Sequence, residues 1–320
     1  HVVSSDSIKT RKHSNFDDYV DELHTEVMRL LKLNDAEDKI QGIGIGAPNA
    51  NYYTGMIDNG VNLPWGNNIA LAEKVSRAFN GVPVAVTNDA NAAAIGEMTY
   101  GAARGIKDFI MITLGTGVGS GIVINGQVVY GHDGFAGELG HVIIKRNNGR
   151  ICGCGRTGCL EAYCSATGVA RTAREFLEIR TDPSTLRDID IDTITSKDVY
   201  DAAMAGDKLA KEIFEYTGKI LGEAFADMVA FSSPQAIILF GGLSKSGDLL
   251  MRPLVDAMNA SVMPIFRGKT KVILSELKES DAAVLGASAL GWEAKYRAET
   301  SAPAPAVVMP AAEAPVGELS

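Results

Sequence analysis

At 320 residues, the chain is long enough for two modest domains, or for one large domain and a tail. Its balance of 46% hydrophobic and 22% charged residues is that of an ordinary water-soluble globular protein. The formal net charge of -9 argues against a broad nucleic-acid-binding surface, and no apolar run approaches the roughly 18 residues of a membrane-spanning helix. The first residues lack the basic and apolar stretches of a secretory signal, so we expect a cytoplasmic protein.

The N-terminal third alternates helical and strand-like patterns. Apolar residues recur at helical spacing first, and short apolar runs bounded by glycine or proline follow. The predicted elements are a helix over 16–31, a strand over 40–45, a helix over 69–79, a strand over 82–87 and an alanine-rich helix over 89–100. This alternation predicts an α/β architecture.

The rest of the chain combines further strands with a long helical stretch. The predicted elements are a strand over 109–114, a glycine-rich turn, a strand-like stretch through Tyr130, helices between 160 and 231, a strand over 236–240, a helix after Gly241-Gly242, a strand over 271–274 and a final helix over 281–297. Residues 301–320 are rich in alanine and proline without periodicity, which predicts a flexible tail.

All four cysteines lie in one short segment, which suits a metal site better than a set of disulfides. Glycines separate Cys152, Cys154 and Cys159, and they let a short loop fold back on itself without side-chain clashes. Structural zinc takes four tetrahedral nitrogen or sulfur ligands, so the pattern predicts a zinc site. We expect His141 as the fourth ligand. Cys164 is the alternative, but it falls in a helical pattern in which it would pack.

A glycine-rich turn follows the strand over 109–114 and begins with Gly115, Thr116 and Gly117. A dinucleotide-binding fingerprint would open into a helix, but here the sequence continues as strand, so that interpretation fails. Two interpretations stay open for the turn. It is either a plain tight hairpin, or a loop that directs backbone N–H groups and the Thr116 hydroxyl at phosphates.

Asn88 and Asp89 stand between a predicted buried strand and a predicted helix. Both residue types cap helices well, which would account for them without any further function. The alternative is functional, because the carboxyl end of a strand places a side chain in the crevice where α/β proteins bind ligands. Glu138, His141 and Glu161 flank the cysteine segment, which suggests acceptors for the hydroxyls of a polar, uncharged ligand.

The segments 137–141 (Gly-Glu-Leu-Gly-His) and 152–161 together resemble the signature of the ROK family (repressors, open reading frames and sugar kinases), above all its bacterial glucokinases. The resemblance extends to the final helix. It implies two actin-like (hexokinase/ribonuclease H-like) α/β domains around a central cleft. The smaller domain would span 1–103 and receive the helix over 281–297, and the larger would span 104–280 and contain the zinc loop.

The resemblance also implies an enzyme that transfers phosphate from ATP to the 6-hydroxyl of glucose or a close relative, with Mg²⁺ on the nucleotide and a structural zinc. Asp89 would be the general base. The family pattern assigns sugar binding to Asn62, Asn88, Asp89, Glu138, His141 and Glu161, nucleotide binding to Gly115, Thr116, Gly117, Gly241 and Gly242, and zinc to His141, Cys152, Cys154 and Cys159. It further implies a homodimer or homotetramer, without membrane or nucleic acid as a partner.

One part of the family pattern is not found in this sequence. Family members open with a strand hairpin that carries Asp-x-Gly-Gly-Thr, whereas residues 2–5 here resemble the strand that follows it. We therefore expect an unpaired sheet edge and one of two explanations: either the sequence begins partway into the natural protein, or this chain binds sugar but catalyses its phosphorylation poorly. Two alternatives to a glucokinase stay open: a sugar-responsive repressor of the same family, and a kinase for fructose or an N-acetylhexosamine.

Overall fold

The computed structural model describes residues 2–58, 63–278 and 282–300. The elements in chain order are α1 (Phe16–Leu33), β1 (Ile43–Gly46), α2 (Leu71–Ala78), β2 (Val84–Thr87), α3 (Asp89–Tyr100), β3 (Phe109–Leu114), β4 (Val118–Ile124), β5 (Gln127–Val128), α4 (Glu161–Cys164), α5 (Ala166–Ile179), α6 (Ser196–Met204), α7 (Lys208–Ser232), β6 (Ala236–Phe240), α8 (Asp248–Ser261), β7 (Lys271–Leu274) and α9 (Ala282–Thr300). Asn62 and the predicted tail over 301–320 lie outside the described residues.

Most predicted elements are confirmed, and the bounds predicted for α3, β3, β6 and β7 agree with the structure. Helix α2 begins at Leu71 rather than at Ile69, because Ile69 pairs with Ile57 in an isolated β-bridge. The helix predicted directly after the two glycines begins only at Asp248. The residue before it, Gly247, has a positive φ of 58°, which separates α8 from a preceding 3-10 turn.

The prediction that residues 2–5 resemble a strand is wrong. The structure assigns them no strand, and 74% of the Val3 surface is exposed. A strand needs a neighbour for its backbone hydrogen bonds, and none of the described strands pairs with this segment.

The first sheet consists, among the described residues, of the parallel strands β1 and β2, with Ile43 opposite Val84. Helix α9 packs against both strands and against α3. It approaches without intervening side chains: a Cβ on Gly44 would lie 1.6 Å from the Ala287 carbonyl oxygen, and one on Gly286 would lie 1.6 Å from that of Ala92. These glycines therefore fix the position of α9 between the sheet and α3.

The second sheet has the strand order β5-β4-β3-β6-β7. Strand β3 is antiparallel to β4 and parallel to β6, and β6 is parallel to β7. Alternate residues of β3 enter two different cores: Ile110 and Ile112 pack with residues of α5 to α8, whereas Phe109 and Met111 pack with residues of α3. Because helices cover both faces of the sheet at β3, the sequence of this strand is continuously apolar rather than alternating.

Helix α3 thus contacts both sheets and brings its N-terminal residue, Asp89, between them. Within the described ranges, no helix is both long and apolar enough to cross a membrane.

Candidate active site

Three loops that carry predicted site residues follow the carboxyl ends of parallel strands. Asn88 follows β2, Gly115 follows β3 and Gly241 follows β6. Since β3 and β6 are neighbours, the last two loops lie side by side: Gly241 has a φ of 100°, and a Cβ on it would lie 2.6 Å from the Leu114 carbonyl oxygen. The carboxyl ends of strands form the ligand-binding edge of open α/β sheets.

The junction of β2 and α3 places Asn88 and Asp89. The Ala90 N–H lies 2.8 Å from Asn88 Oδ1 and 2.8 Å from Asp89 Oδ1, so Asn88 caps the helix as the simpler interpretation predicts. The Asp89 side chain keeps contact with solvent, but the protein atoms around it desolvate the carboxylate and raise its pKa. At this junction, Asn88 therefore caps the helix while the Asp89 carboxylate faces the cleft.

Glu138, His141 and Glu161 converge on the space that Asp89 faces. The Glu138 side chain is half exposed, but partial desolvation by the protein raises its pKa, the negative charges of Asp89 and Glu161 raise it further, and His141 opposes the shift. His141 Nε2 lies 3.9 Å from Glu138 Oε2. Three carboxylates and an imidazole thus share one polar space, which is a chemical environment suited to hydroxyl groups.

Glu161 connects the cysteine segment to the glycine hairpin. Its Oε2 accepts a hydrogen bond from the Val118 backbone N–H at 3.0 Å, and its Oε1 accepts one from the Cys152 thiol at 3.4 Å. A Cβ on Gly117 would lie 2.5 Å from Glu161 Oε2, so the hairpin passes directly over this carboxylate. Both oxygens of Glu161 have protein partners in this structure.

The predicted metal ligands form one compact group. The ligand atoms of His141, Cys152, Cys154 and Cys159 all lie within 4.8 Å of one another, and the group excludes Cys164. Cys164 is buried instead, with its thiol 3.8 Å from the Thr217 carbonyl oxygen.

Two of the distances in this group equal those between the ligands of a tetrahedral zinc. His141 Nδ1 lies 3.6 Å from Cys152 Sγ, and the sulfur atoms of Cys154 and Cys159 are 3.7 Å apart. Ligands at ordinary zinc bond lengths in a tetrahedron are separated by about 3.5–3.8 Å. Burial raises the pKa of the Cys152 thiol to about 12, so a cation is needed to hold it as a thiolate.

The loop over residues 151–159, called the metal loop below, is shaped by its glycines. Cys152 N–H donates to the Arg156 carbonyl at 2.8 Å, and Gly155 has a φ of 85° in the turn between them. Gly158 has a φ of 86°, and a Cβ on it would lie 1.9 Å from the Lys145 carbonyl oxygen. Only glycine suits both the conformation and the space at that position.

Sequence reasoning missed Arg150, which anchors the base of the metal loop. Its side chain is only 6% exposed and forms a forked ion pair with Glu175, with NH2 to Oε2 at 2.6 Å. It also donates to Thr172 Oγ1 and to the carbonyls of Ala162 and Gly168. A single arginine in a glycine-rich loop has no spacing pattern that would have revealed this role.

The same helical region supports the glycine turn. The Ala166 N–H donates to the Gly115 carbonyl at 2.8 Å, and the Thr167 hydroxyl donates to the Thr116 carbonyl at 3.0 Å. These contacts lie at the N-terminus of α5, the helix that also carries Thr172 and Glu175. Helix α5 therefore joins the turn to the base of the metal loop.

Cavity size does not locate this site. One cavity of about 1070 Å³ lies between α7 and α8 and contains none of the carboxylates described above. A smaller one, about 290 Å³, lies beside Gly242 and is lined by Lys197 and Tyr200 of α6. The polar space is an open cleft, so the chemistry of its side chains identifies it better than its volume.

Comparison with known proteins gives a consistent result. The sequence pattern of the ROK family matches residues 3–294. A glucokinase from Halalkalibacterium halodurans is 39% identical over 271 residues, which are 84% of this chain and 80% of that protein. A xylose repressor from Caldicellulosiruptor bescii is 30% identical over 252 residues, covering 78% of this chain but 62% of the repressor.

A solved structure matches the fold as well. It is a ROK family glucokinase from Streptomyces griseus in complex with glucose and AMPPNP, with a TM-score of 0.73 and 30% sequence identity. The match covers 92% of this chain and 93% of that one. The predicted α/β fold of the actin-like type is therefore confirmed.

Proposed function

This chain belongs to the ROK family, and from that premise we propose that it is a glucokinase, an enzyme that transfers the γ-phosphoryl group of ATP to the 6-hydroxyl of glucose. The observation that carries the proposal is the convergence of Asp89, Glu138, His141 and Glu161 beside two glycine loops at the carboxyl ends of strands. The repressor is the less similar relative, and no feature of the described residues favours it.

Asp89 is the proposed general base. It accepts the proton of the 6-hydroxyl while that oxygen forms a bond to the γ-phosphorus, and the bond from phosphorus to the bridging oxygen of ADP breaks. A base needs a pKa near the working pH, and burial shifts the pKa of Asp89 in that direction. Its place at the start of α3 also holds the carboxylate at the boundary of the two sheets.

The remaining polar groups position the sugar. We assign Asn88, Glu138, His141 and Glu161 to its hydroxyls, and Asn62 stays a prediction because it lies outside the described residues. Fixing the reacting hydroxyl beside its base replaces a bimolecular encounter by a unimolecular step, and such positioning is one of the two main sources of rate gain in phosphoryl transfer, beside electrostatic stabilisation.

Two glycine loops are proposed for the nucleotide. Gly115, Thr116 and Gly117 follow β3, and Gly241 and Gly242 follow the neighbouring strand β6. Phosphates bind well to backbone N–H groups of such turns, and glycine allows close approach. Mg²⁺ on the nucleotide supplies neutralisation of the phosphate charge when it is bound.

The metal loop is proposed to hold a structural zinc through His141, Cys152, Cys154 and Cys159. Bound zinc supplies rigidity and a fixed tautomer of His141, because metal on Nδ1 leaves Nε2 with its hydrogen. His141 can then donate from Nε2 toward a sugar hydroxyl.

We also propose that the chain forms two domains, one of residues 1–103 with α9 and one of residues 104–280. We further propose that it forms the homodimer or homotetramer that the resemblance implies. Sedimentation velocity would test the oligomeric state.

A coupled assay with MgATP across glucose, mannose, fructose, N-acetylglucosamine and N-acetylmannosamine tests the function. We expect glucose to give the highest kcat/KM, and Asp89→Asn to abolish most turnover with every sugar. A higher kcat/KM for an N-acetylhexosamine or fructose would assign the site to the alternative kinase. Absence of turnover with all five sugars would overturn the proposal.

A further inference from the structure

Three consecutive residues of the loop after β1 contact the segment that follows β5, residues 130–134. The rings of Tyr52 and Tyr130 stack with centroids 3.8 Å apart and planes 5° from parallel. The Tyr53 hydroxyl donates to the Gly131 carbonyl at 2.9 Å. Asn51 completes the set and is the most deeply placed of the three, with 3% of its surface exposed.

The Asn51 amide is fixed from both ends. Its Oδ1 accepts from the Tyr53 N–H at 2.9 Å and from the Thr54 N–H at 3.3 Å, which settles which end of the amide carries oxygen. Its Nδ2 donates to the Asp133 carbonyl at 2.7 Å and to Asp58 Oδ2 at 3.2 Å. A buried amide with both ends satisfied has a single favourable position.

The backbone next to Asp133 is shaped to fit this amide. Gly134 is buried and has a φ of 91°, a conformation that favours glycine. A Cβ there would lie 2.6 Å from Asn51 Oδ1. The backbone at position 134 can therefore lie this close to Asn51 only because residue 134 is glycine.

The 130–134 segment leads through residues 135–137 to Glu138, and the backbone on both sides of Glu138 is anchored separately. The Ser120 hydroxyl of β4 donates to the Gly137 carbonyl and accepts from the Leu139 N–H at 3.0 Å. Ser120 thus holds the backbone on both sides of Glu138, and Asn51 holds the segment that leads to it. The Ala136 N–H, bonded to the Tyr130 carbonyl at 3.0 Å, keeps the span between them compact.

We propose that Asn51 is a positioning residue for the sugar site, because it sets the place of Glu138 relative to Asp89. This inference rests on the proposed function, which assigns Glu138 to the sugar. None of the hydrogen bonds described for Asn51 reaches the glycine loops at 115–117 or 241–242. Its loss should therefore alter sugar binding and leave nucleotide binding unchanged.

A double-mutant cycle of Asn51→Ala and Glu138→Gln, read by calorimetric glucose binding and by the KM of each substrate, tests this role. We expect Asn51→Ala to raise the Kd of glucose about tenfold, equivalent to about 1.4 kcal/mol, with little change in the KM of ATP. If Asn51 acts through Glu138, the same substitution in the Glu138→Gln background should change the Kd by less than about twofold.

Two further variants separate positioning from general destabilisation. Asn15→Ala removes the cap of α1, where Asn15 accepts from the Asp17 N–H, and should lower Tm without altering the Kd of glucose. Tyr53→Phe removes only the hydrogen bond to the Gly131 carbonyl and replaces Asn51→Ala in the test if that variant does not fold. It should raise the Kd of glucose by about two- to threefold, again only when Glu138 is present.

The outcomes distinguish the two proposals. If the native protein binds no sugar of the panel, the proposed function fails, and the role of Asn51 fails with it. If the native protein binds glucose and the cycle is additive, or if the KM of ATP rises in parallel with that of glucose, the role of Asn51 alone is overturned.

Discussion

Two regions bring polar side chains to the same cleft by different means. At the junction of β2 and α3, local structure places Asn88 and Asp89, since a strand ends and a capped helix begins there. The metal loop is placed by long-range contacts, through Arg150 at its base and the four-ligand group at its tip. The proposed base thus needs little support, whereas the groups proposed to bind the sugar need a scaffold. Substitutions at the junction should therefore change turnover, and those in the loop should change affinity and stability.

The largest effect is expected at Asp89. Asp89→Asn keeps the size of the side chain and removes its basicity, so kcat should fall by roughly a hundred- to ten-thousand-fold. The Kd of glucose and the Tm should change little, because Asn is also a good residue at a helix start. Steady-state kinetics with calorimetric glucose binding checks this. A variant with near-native kcat would show that another group accepts the proton.

In the metal loop, substitutions should change glucose affinity rather than kcat. Native protein purified without chelator should contain one zinc per chain by elemental analysis, and Cys154→Ser should lose it. Without the metal, His141 is no longer oriented, so the affinity for glucose should fall by about ten- to a hundredfold. Cys164→Ser is the matched control and should keep the metal, because Cys164 lies in the core outside the group. Loss of zinc in Cys164→Ser would assign Cys164 to the metal site, and retention of zinc in Cys154→Ser would exclude Cys154 from it.

Arg150 tests the scaffold without touching a proposed ligand. Arg150→Met fills a similar volume but leaves the carbonyls of Ala162 and Gly168 without their donor. Glu175 is 41% exposed and can be solvated, so the loss of unfolding free energy should be about 2 kcal/mol rather than the larger value of a fully buried pair. Urea denaturation measures it. Arg171→Met, at the exposed partner of Glu175, should change stability by less than about 0.5 kcal/mol.

The pH profile offers a further contrast at the junction. Asp89 must be ionised to act as a base, and desolvation by the surrounding protein raises its pKa. Activity is therefore present above that pKa and is lost as the pH falls through it. Below this point kcat/KM should fall by about tenfold per pH unit, starting at a higher pH than for an ordinary aspartate. The residual activity of Asp89→Asn should lack this acid limb. The same limb in both proteins would assign it to another group.

The two regions also differ in how far the sequence predicts them. The junction at 88–89 and the spacing of the cysteines are local patterns, and the structure brings the expected residues together in both places. Arg150 and Asn51 were not predicted, because their roles depend on partners far away in the chain, Glu175 and Asp133. A lone arginine or asparagine in a loop carries no periodicity that would indicate a partner. The strand predicted over 40–45 overlaps β1, but the close contact of α9 with Gly44 is another long-range feature that the sequence pattern did not show.

The smallest effect is expected at Asn88, where it distinguishes a helix cap from a sugar contact. Serine accepts a capping hydrogen bond as asparagine does, but it lacks the amide that would reach a sugar hydroxyl. Asn88→Ser should therefore keep Tm close to native while raising the KM of glucose several-fold, as expected for one lost neutral hydrogen bond. Asn88→Ala should show the same rise in KM and lose about 1 kcal/mol of stability in addition, because the Ala90 N–H keeps only Asp89 Oδ1 as its partner.

Thermal denaturation and steady-state kinetics on the two variants make the comparison. If Asn88→Ser has a native KM and only Asn88→Ala is impaired in stability, capping alone explains this residue, and the sugar contacts at the junction reduce to Asp89.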